Sequence, residues 1–469
     1  MTGVANDRTT SWFAATAAVA AGAAAAYAVS PLTVVFVLLL GSIVRRGVRG
    51  LSGRERTLVG GLLTLAIVLR VLAIAGVFLS TNPWREPFRA LFGDALFTIE
   101  RSIWVRNLTL GTEIGPWYRL AVFNPYGGNV FYYYLAYLQV LFGPAPYAIT
   151  LLSVAAFAGG CVLLHRHARA AFGAVPAGIG LTILLFWPTF FVWSISMLKE
   201  SVLLFLSATA LVYVARLASA TGWWPRLGAA AAAALALALL GSLRDGAIVL
   251  AAGGILLGIA VRIVTLRTSV LAAAIVAIVV AGAAASRRPI VRAAIATEVE
   301  AAIDRHVGHW ATPGVHFQTA DDRFYLGRIE AIKTMTAAEG ARFLARAAVA
   351  FVLVPLPWHI ETTSGLLFLP EQFAWLALIA LGAVGTWVGL RRNVLSAAML
   401  AGFCLVSMAV IAPNSGNVGT LIRHRDAIVP FLVWLSGVGF ESLLVWSVRR
   451  QPLVAPAFSP ALAQMPHTT

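Results

Sequence analysis

Phe92-Gly-Asp-Ala-Leu-Phe-Thr-Ile-Glu-Arg-Ser-Ile-Trp104 is too polar to cross a bilayer, and it follows a run, 57–79, that is apolar enough to do so. Phe97, Arg101 and Trp104 recur three to four residues apart, the spacing of one helix face. The stretch therefore reads as an amphipathic helix lying along the membrane surface. Asp94 stands at its N-terminal end, where the helix dipole favours a carboxylate. An acid at the lipid–water boundary is what an enzyme needs to deprotonate a hydroxyl beside a lipid-borne substrate. The rest of the chain reads as the scaffold for that acid.

Composition sets the class. Of 469 residues, 60% are hydrophobic and 12% charged, with a mean hydropathy of +0.85; soluble domains are about 25% charged. The chain is expected to be an all-α polytopic membrane protein. Its net charge of +16 is almost wholly arginine, because Lys199 and Lys333 are the only lysines. That excess suits cytoplasmic loops, anionic membrane lipids or a phosphate-bearing substrate, and with no soluble basic domain it does not imply nucleic acid. Cys161 and Cys404 lie in apolar runs, so a disulfide framework is not expected. Arg8 precedes an Ala-rich run with no clear cleavage site, which reads as a retained first helix. The Ala-, Arg- and Gly-rich, Lys-poor usage is that of a high-GC bacterium.

Runs 11–29 and 31–44 form a hairpin broken at Ser30-Pro31, and Arg45, Arg46, Arg49, Arg54 and Arg56 then mark a cytoplasmic loop. Run 57–79, interrupted only by Arg70, crosses outward, so 81–127 faces outside with Asp94, Glu100 and Glu113. The tyrosine-dense 129–142 reads as interfacial. Run 145–164 crosses inward to His165-Arg-His-Ala-Arg169, and 174–191 returns with Pro188 near its outer end. Further spans are expected over 201–215, 227–243, 247–263, 269–285, 371–390, 394–412 and 428–446, with 343–356 re-entrant or interfacial. The total is about eleven to thirteen spans, with interfacial helices in the first external loop. The chain divides into an N-terminal hairpin and basic loop (1–56), a transmembrane core with an external loop at 81–143 (57–285), an external polar segment (286–342), a C-terminal transmembrane region (343–450) and a disordered tail (451–469).

This topology puts three polar clusters on the outer face: Asp94 with its neighbours, Lys199-Glu200 with Arg244-Asp245, and Arg423-His-Arg-Asp426. Ionisable groups at membrane depth cost about 2.5–3.5 kcal/mol each, so they are usually paired or functional. His306, His309 and His316 make no fixed metal-ligand set and read as surface histidines. His165 and His167 read as part of the cytoplasmic basic signal. No Walker-type phosphate loop or serine elbow occurs, which argues against nucleotide-driven chemistry.

The run Tyr132-Tyr-Tyr-Leu-Ala-Tyr-Leu-Gln-Val-Leu-Phe-Gly-Pro-Ala-Pro-Tyr147, continuing through His165 to Phe172-Gly173, resembles the second-helix region of GT-C glycosyltransferases. Trp193-Ser-Ile-Ser-Met-Leu-Lys-Glu-Ser201 looks like that superfamily's next block, and Ser242-Leu-Arg-Asp-Gly246 is similar to its "Thr-Arg-Pro" turn. The order over roughly 57–265 matches the protein O-mannosyltransferase and aminoarabinose-transferase branch. Pro355-Leu-Pro-Trp358 and Asn417-Val-Gly-Thr-Leu-Ile-Arg-His-Arg-Asp426 are similar to stretches of bacterial envelope-polysaccharide membrane proteins. The resemblance implies an inverting transferase in the bacterial plasma membrane. It would use a polyprenyl-phosphate-linked sugar and an external glycan, lipid or protein acceptor. Asp94 falls at the family's catalytic aspartate and Glu200 at its second acid. The family often has another acid directly after the first; here that position is Ala95, which leaves a divalent metal open.

The chemistry agrees. An acceptor hydroxyl must lose its proton to a carboxylate as it attacks the anomeric carbon, and the departing phosphate needs fixed cations. Arg244, Arg423, Arg425 and Lys199 are the candidates for those cations, with Asp245, Tyr132 and Trp117 as further substrate contacts. The aromatics near 117–137 serve mostly as interfacial anchors, although such rings also stack on sugars. The competing readings are a lipid-linked oligosaccharide flippase or transporter, a polysaccharide polymerase or ligase, and a non-catalytic assembly subunit. The transporter reading expects a polar midplane path, whereas these spans are mostly Ala, Leu and Val.

Overall fold

A computed structural model describes residues 30–80, 93–123, 130–244, 246–265, 287–312, 314–360 and 368–450, besides the single positions 16, 19, 22, 280, 284 and 366. The helices are α1 (Pro31–Val48), α2 (Gly53–Ser80), α3 (Gly93–Thr109), α4 (Pro116–Phe123), α5 (Phe131–Phe142), α6 (Pro146–Phe172), α7 (Ala174–Leu185), α8 (Pro188–Ser194), α9 (Glu200–Ser219) and α10 (Trp223–Leu243). They continue as α11 (Ala247–Val264), α12 (Pro289–Trp310), α13 (Arg323–Leu326), α14 (Arg328–Lys333), α15 (Ala337–Leu353), α16 (Leu369–Arg392), α17 (Val394–Ile411), α18 (Val418–Arg425) and α19 (Val429–Arg450). Among the described residues nine helices are long and apolar enough to span a membrane, or ten if the bent pair α7–α8 counts as one. The only extended pairing among them is a single bridge, His316 to Asn417. The protein is an all-α multi-pass membrane protein. Apart from those single positions, runs 11–29 and 269–285 and the tail 451–469 lie outside the described residues.

Five spans carry arginine in or beside their last turn at one end of the bundle. α1 runs past the expected stop at residue 44 to Val48, taking Arg45 and Arg46 into its last turn, where the dipole favours cations. α6, α9, α11 and α16 also carry arginine in their last turns, and all end there. The opposite end carries the first turn of α9 and the turn between α10 and α11.

Two helix pairs are held by direct backbone approach. A Cβ on Gly385 of α16 would stand 1.7 Å from the Leu435 carbonyl oxygen of α19, and one on Gly402 of α17 would stand 2.8 Å from the Gly254 carbonyl oxygen of α11. Where lipid replaces water, such close packing stands in for the missing hydrophobic drive between helices.

The expected span 174–191 is broken: α7 and α8 meet at an angle of 61°. Pro188 has no N–H to continue the ladder, and Trp187 before it is extended. The break frees the Leu185 carbonyl, and Arg70 from mid-span α2 satisfies it at 2.9 Å. Arg70 also donates to the Ala66 carbonyl at 3.1 Å and to Ser194 Oγ at 2.6 Å, with its guanidinium over the Phe157 and Phe191 rings. A fully buried charge inside a span is thus held entirely by neutral acceptors and aromatic faces.

α5, at twelve residues, is far short of the ~30 Å hydrocarbon core. It packs with α3 and α4 around Val105, Val122, Tyr132 and Ala136 as a small separate core. α15 is amphipathic and not among the candidate spans. It packs on α12 around Ile303, Val307, Phe324 and Phe343. His306 lies on that packed face, fully buried, with Nδ1 2.6 Å from the Ser415 carbonyl and Nε2 2.8 Å from the Tyr325 hydroxyl. This corrects the expectation of a surface histidine: position 306 follows Ala302 and Ile303 by one helical turn and shares their face.

Candidate functional site

Three helix ends meet opposite the arginine-rich end. Asp94 is in the first turn of α3 and Glu200 opens α9, so both carboxylates sit where the helix dipole favours negative charge. Arg423 is in the last turn of α18, where it favours positive charge. Arg423 Nη1 donates to Asp94 Oδ2 at 2.9 Å, its Nε to Glu200 Oε1 at 2.8 Å, and its Nη2 lies 2.7 Å from the same Glu200 oxygen. One guanidinium therefore joins two acids from separate parts of the chain. Burial disfavours its charge, but Glu200 and then Asp94 outweigh that and hold its pKa above the usual arginine value.

The two acids differ in setting. Asp94 is 71% exposed, whereas Glu200 is 10% exposed and its Oε2 is buried without a hydrogen-bond partner among the described residues. A cavity of about 70 Å³ lies beside Glu200, lined also by Arg244, His424 and Asp426. That is room for about two waters, far below the volume of a small-molecule pocket, and the exposed side of the site is the Asp94 rim. Residues 81–92, which lead into that rim, lie outside the described residues. Arg244 is exposed and has no carboxylate within 4 Å among the described residues, which leaves its charge available to an anion.

α18 is positioned from α12 and the residues that follow it. Its N-cap Asn417 accepts from Thr420 N at 2.7 Å and donates to Thr312 Oγ1 at 2.7 Å and to the His309 carbonyl at 3.1 Å. Gly416 lies so close to α12 that a Cβ would stand 2.0 Å from the His306 carbonyl oxygen. The half-buried His424 ring is fixed by Ser415 Oγ at 2.6 Å, and desolvation followed by the Arg244 charge draws its pKa well below the usual value, so it stays neutral.

A second acidic pair lies behind the first, and little in the sequence points to it. Thr189 Oγ1 is 2.7 Å from Glu371 Oε1 and 2.8 Å from Asp426 Oδ1. A hydroxyl has one hydrogen to donate, so one of these carboxyls must donate to Thr189 and carries a proton itself. Burial, then the Glu371 charge, pushes the Asp426 pKa well above the ordinary aspartate value. Trp193 links the two groups: its indole N–H donates to Asp426 Oδ2, and Arg423 stands 5.6 Å over its ring.

The other expected site residues fall elsewhere. Arg425 is buried away from Asp94 and Glu200, donating to Gln372 Oε1 at 2.6 Å and to the Phe351, Val352 and Val354 carbonyls, so it joins α18 to α15 and α16 and has no free face for a phosphate. Tyr132 is buried in the small α3–α5 core, its hydroxyl on the Val122 carbonyl at 3.2 Å, and burial pushes its pKa up to about 12. That removes it from substrate contact. Trp117 is 75% exposed on α4, as an interfacial anchor would be. Lys199 is half-buried at the N-cap of α9. Asp245 lies outside the described residues. No group of three or more His, Cys, Asp or Glu side chains among the described residues could hold a metal ion. No family model, curated protein or solved structure matches the chain.

Proposed function

We propose that the chain is a GT-C-like glycosyltransferase that moves a sugar from a polyprenyl-phosphate donor to an envelope acceptor at the outer face of a bacterial plasma membrane. The observation that carries this reading is the pairing of Asp94 and Glu200 through Arg423, at 2.9 and 2.7 Å, at the end of the bundle opposite the arginine-bearing last turns of the spans. By the positive-inside rule that end faces outward. Asp94 is the base: its exposed carboxylate takes the acceptor hydroxyl's proton while the oxygen attacks the anomeric carbon from the face opposite the phosphate. The new glycosidic C–O bond forms as the anomeric carbon–phosphate oxygen bond breaks, and the configuration inverts. Arg244, free of a carboxylate partner among the described residues, takes the charge that develops on the departing lipid phosphate. Arg423 acts as a positioning residue, fixing Asp94 against Glu200. Glu200, nearly buried, is the inner anchor of that guanidinium and makes no sugar contact of its own.

The test is transfer in proteoliposomes from labelled polyprenyl-phosphate sugars. Asp94→Asn should abolish transfer at unchanged expression and folding, and Arg244→Gln should weaken donor use. A fully active Asp94→Asn protein would remove Asp94 as the base, and no transfer from any such donor by the wild type would remove the reading.

A further inference from the structure

A cavity of about 960 Å³ opens at the other end of the bundle. α9 runs from Glu200 at the acidic end to Arg216 on the cavity wall, about 24 Å away at 1.5 Å per residue. At the ~30 Å³ a water occupies in the liquid, the cavity has room for roughly thirty of them. Among the described residues its wall carries arginine from five helix ends and no acidic residue. Arg169 and Arg392 are neutralised from outside the wall, by Glu55 at 2.5 Å and Glu441 at 2.6 Å. Arg49, Arg166, Arg216, Arg262 and Arg391 have no carboxylate within 4 Å among the described residues. Arg216 and Arg391 are held in place over the rings of Tyr213 and Trp387. The first turn of α17, capped by Asn393 and including Val394 and Leu395, also lines the cavity, which adds a helix N-terminus to the cations.

Simple topology signalling needs arginines near the inner surface, but it does not need them turned onto one shared hollow with no acid among them. We propose that this cavity binds a phosphate-bearing anion of more than one negative charge, either a phospholipid headgroup of the adjoining leaflet or a soluble polyphosphate. The proposal does not depend on the chemistry at Asp94.

The experiment uses the full chain in phosphatidylcholine nanodiscs. Inorganic tripolyphosphate is titrated by calorimetry, and cardiolipin uptake from phosphatidylcholine–cardiolipin vesicles is read by native mass spectrometry. At least one probe should bind, less tightly as salt is added. The pair Arg216→Gln with Arg262→Gln should weaken binding about a hundred-fold, about ten-fold for each charge-assisted hydrogen bond removed. Arg226→Gln serves as the control: Arg226 lies at the same end of the bundle but outside the cavity, donating to the Ala220 carbonyl. Binding of cardiolipin alone identifies a headgroup site, and of tripolyphosphate alone a soluble ligand. Failure of both probes overturns the proposal, as does an equal weakening in Arg226→Gln. If the double variant loses its melting transition, Arg49→Gln alone decides, with about a ten-fold weakening expected.

Discussion

Replacing Arg423 by methionine keeps most of the side chain's bulk and removes its charge from between two acids. Glu200 is 10% exposed, so it would be left as a nearly buried carboxylate without its cation; stranding such a charge costs about 3–5 kcal/mol. Asp94 is 71% exposed, and its pairing with the same guanidinium is worth about 0.2–1 kcal/mol. Arg423→Met should therefore destabilise the protein by about 3–5 kcal/mol, nearly all of it through Glu200. Adding Glu200→Gln should recover most of that stability, whereas Asp94→Asn alone should cost less than about 1 kcal/mol. Equilibrium unfolding by dodecyl sulfate in mixed micelles, followed by circular dichroism, measures all four proteins. The reasoning is refuted if Asp94→Asn costs as much as Arg423→Met, or if Glu200→Gln makes the Arg423 variant worse. The same asymmetry makes Asp94→Asn a clean probe of transfer, since a drop in activity would not reflect a drop in folding.

Three further outcomes are expected. Arg70→Leu strands the Leu185 carbonyl, at about 1–3 kcal/mol for an unsatisfied buried acceptor, and should lower the unfolding midpoint; an unchanged midpoint would show that the broken helix has another donor. Asp426 has a raised folded pKa, so the folded protein binds its proton more tightly than the unfolded chain. The resulting stability is complete below the ordinary aspartate value and is lost as pH rises through the raised one. Stability should therefore fall on alkalinisation in the wild type and less steeply in Asp426→Asn, where Glu371, Thr189 and Trp193 still face the site; equal slopes would contradict this. Gly385→Ala drives a methyl into the Leu435 carbonyl and should cost about 1–3 kcal/mol or more by overpacking. Gly41→Ala, with nothing within 4 Å, should be neutral or gain up to about 1 kcal/mol. Melting curves showing the two alanines alike would discount the backbone contact between α16 and α19.

Much of the architecture can be read along the chain, because apolar runs bounded by arginines carry their own length and polarity. Grouping charges by the side on which each run ends is enough to put Asp94, Glu200, Arg244 and Arg423 on one face. Which of them touch depends on tertiary packing between segments more than two hundred residues apart, and no spacing rule reaches that far. Arg423 and Arg425 look equivalent in the sequence, yet two steps of about 100° turn them to opposite sides of α18. One therefore meets the acids while the other enters the core. Glu371 is hidden at the start of an apolar run, where an acid reads as an ordinary first-turn charge. The bend at Pro188 is legible in position but not in consequence, since the proline predicts a break and does not say who fills it.

Arg70 and that break answer each other across the fold: the arginine would be stranded beside an unbroken helix, and the broken helix would be stranded without the arginine. Descent should therefore treat the two positions as one character. A lineage that exchanges Pro188 for a residue able to continue the helix is released from keeping a cation at 70, and one that keeps the proline is not. A set of homologous chains in which position 70 turns apolar while the proline persists would show that another donor has taken over.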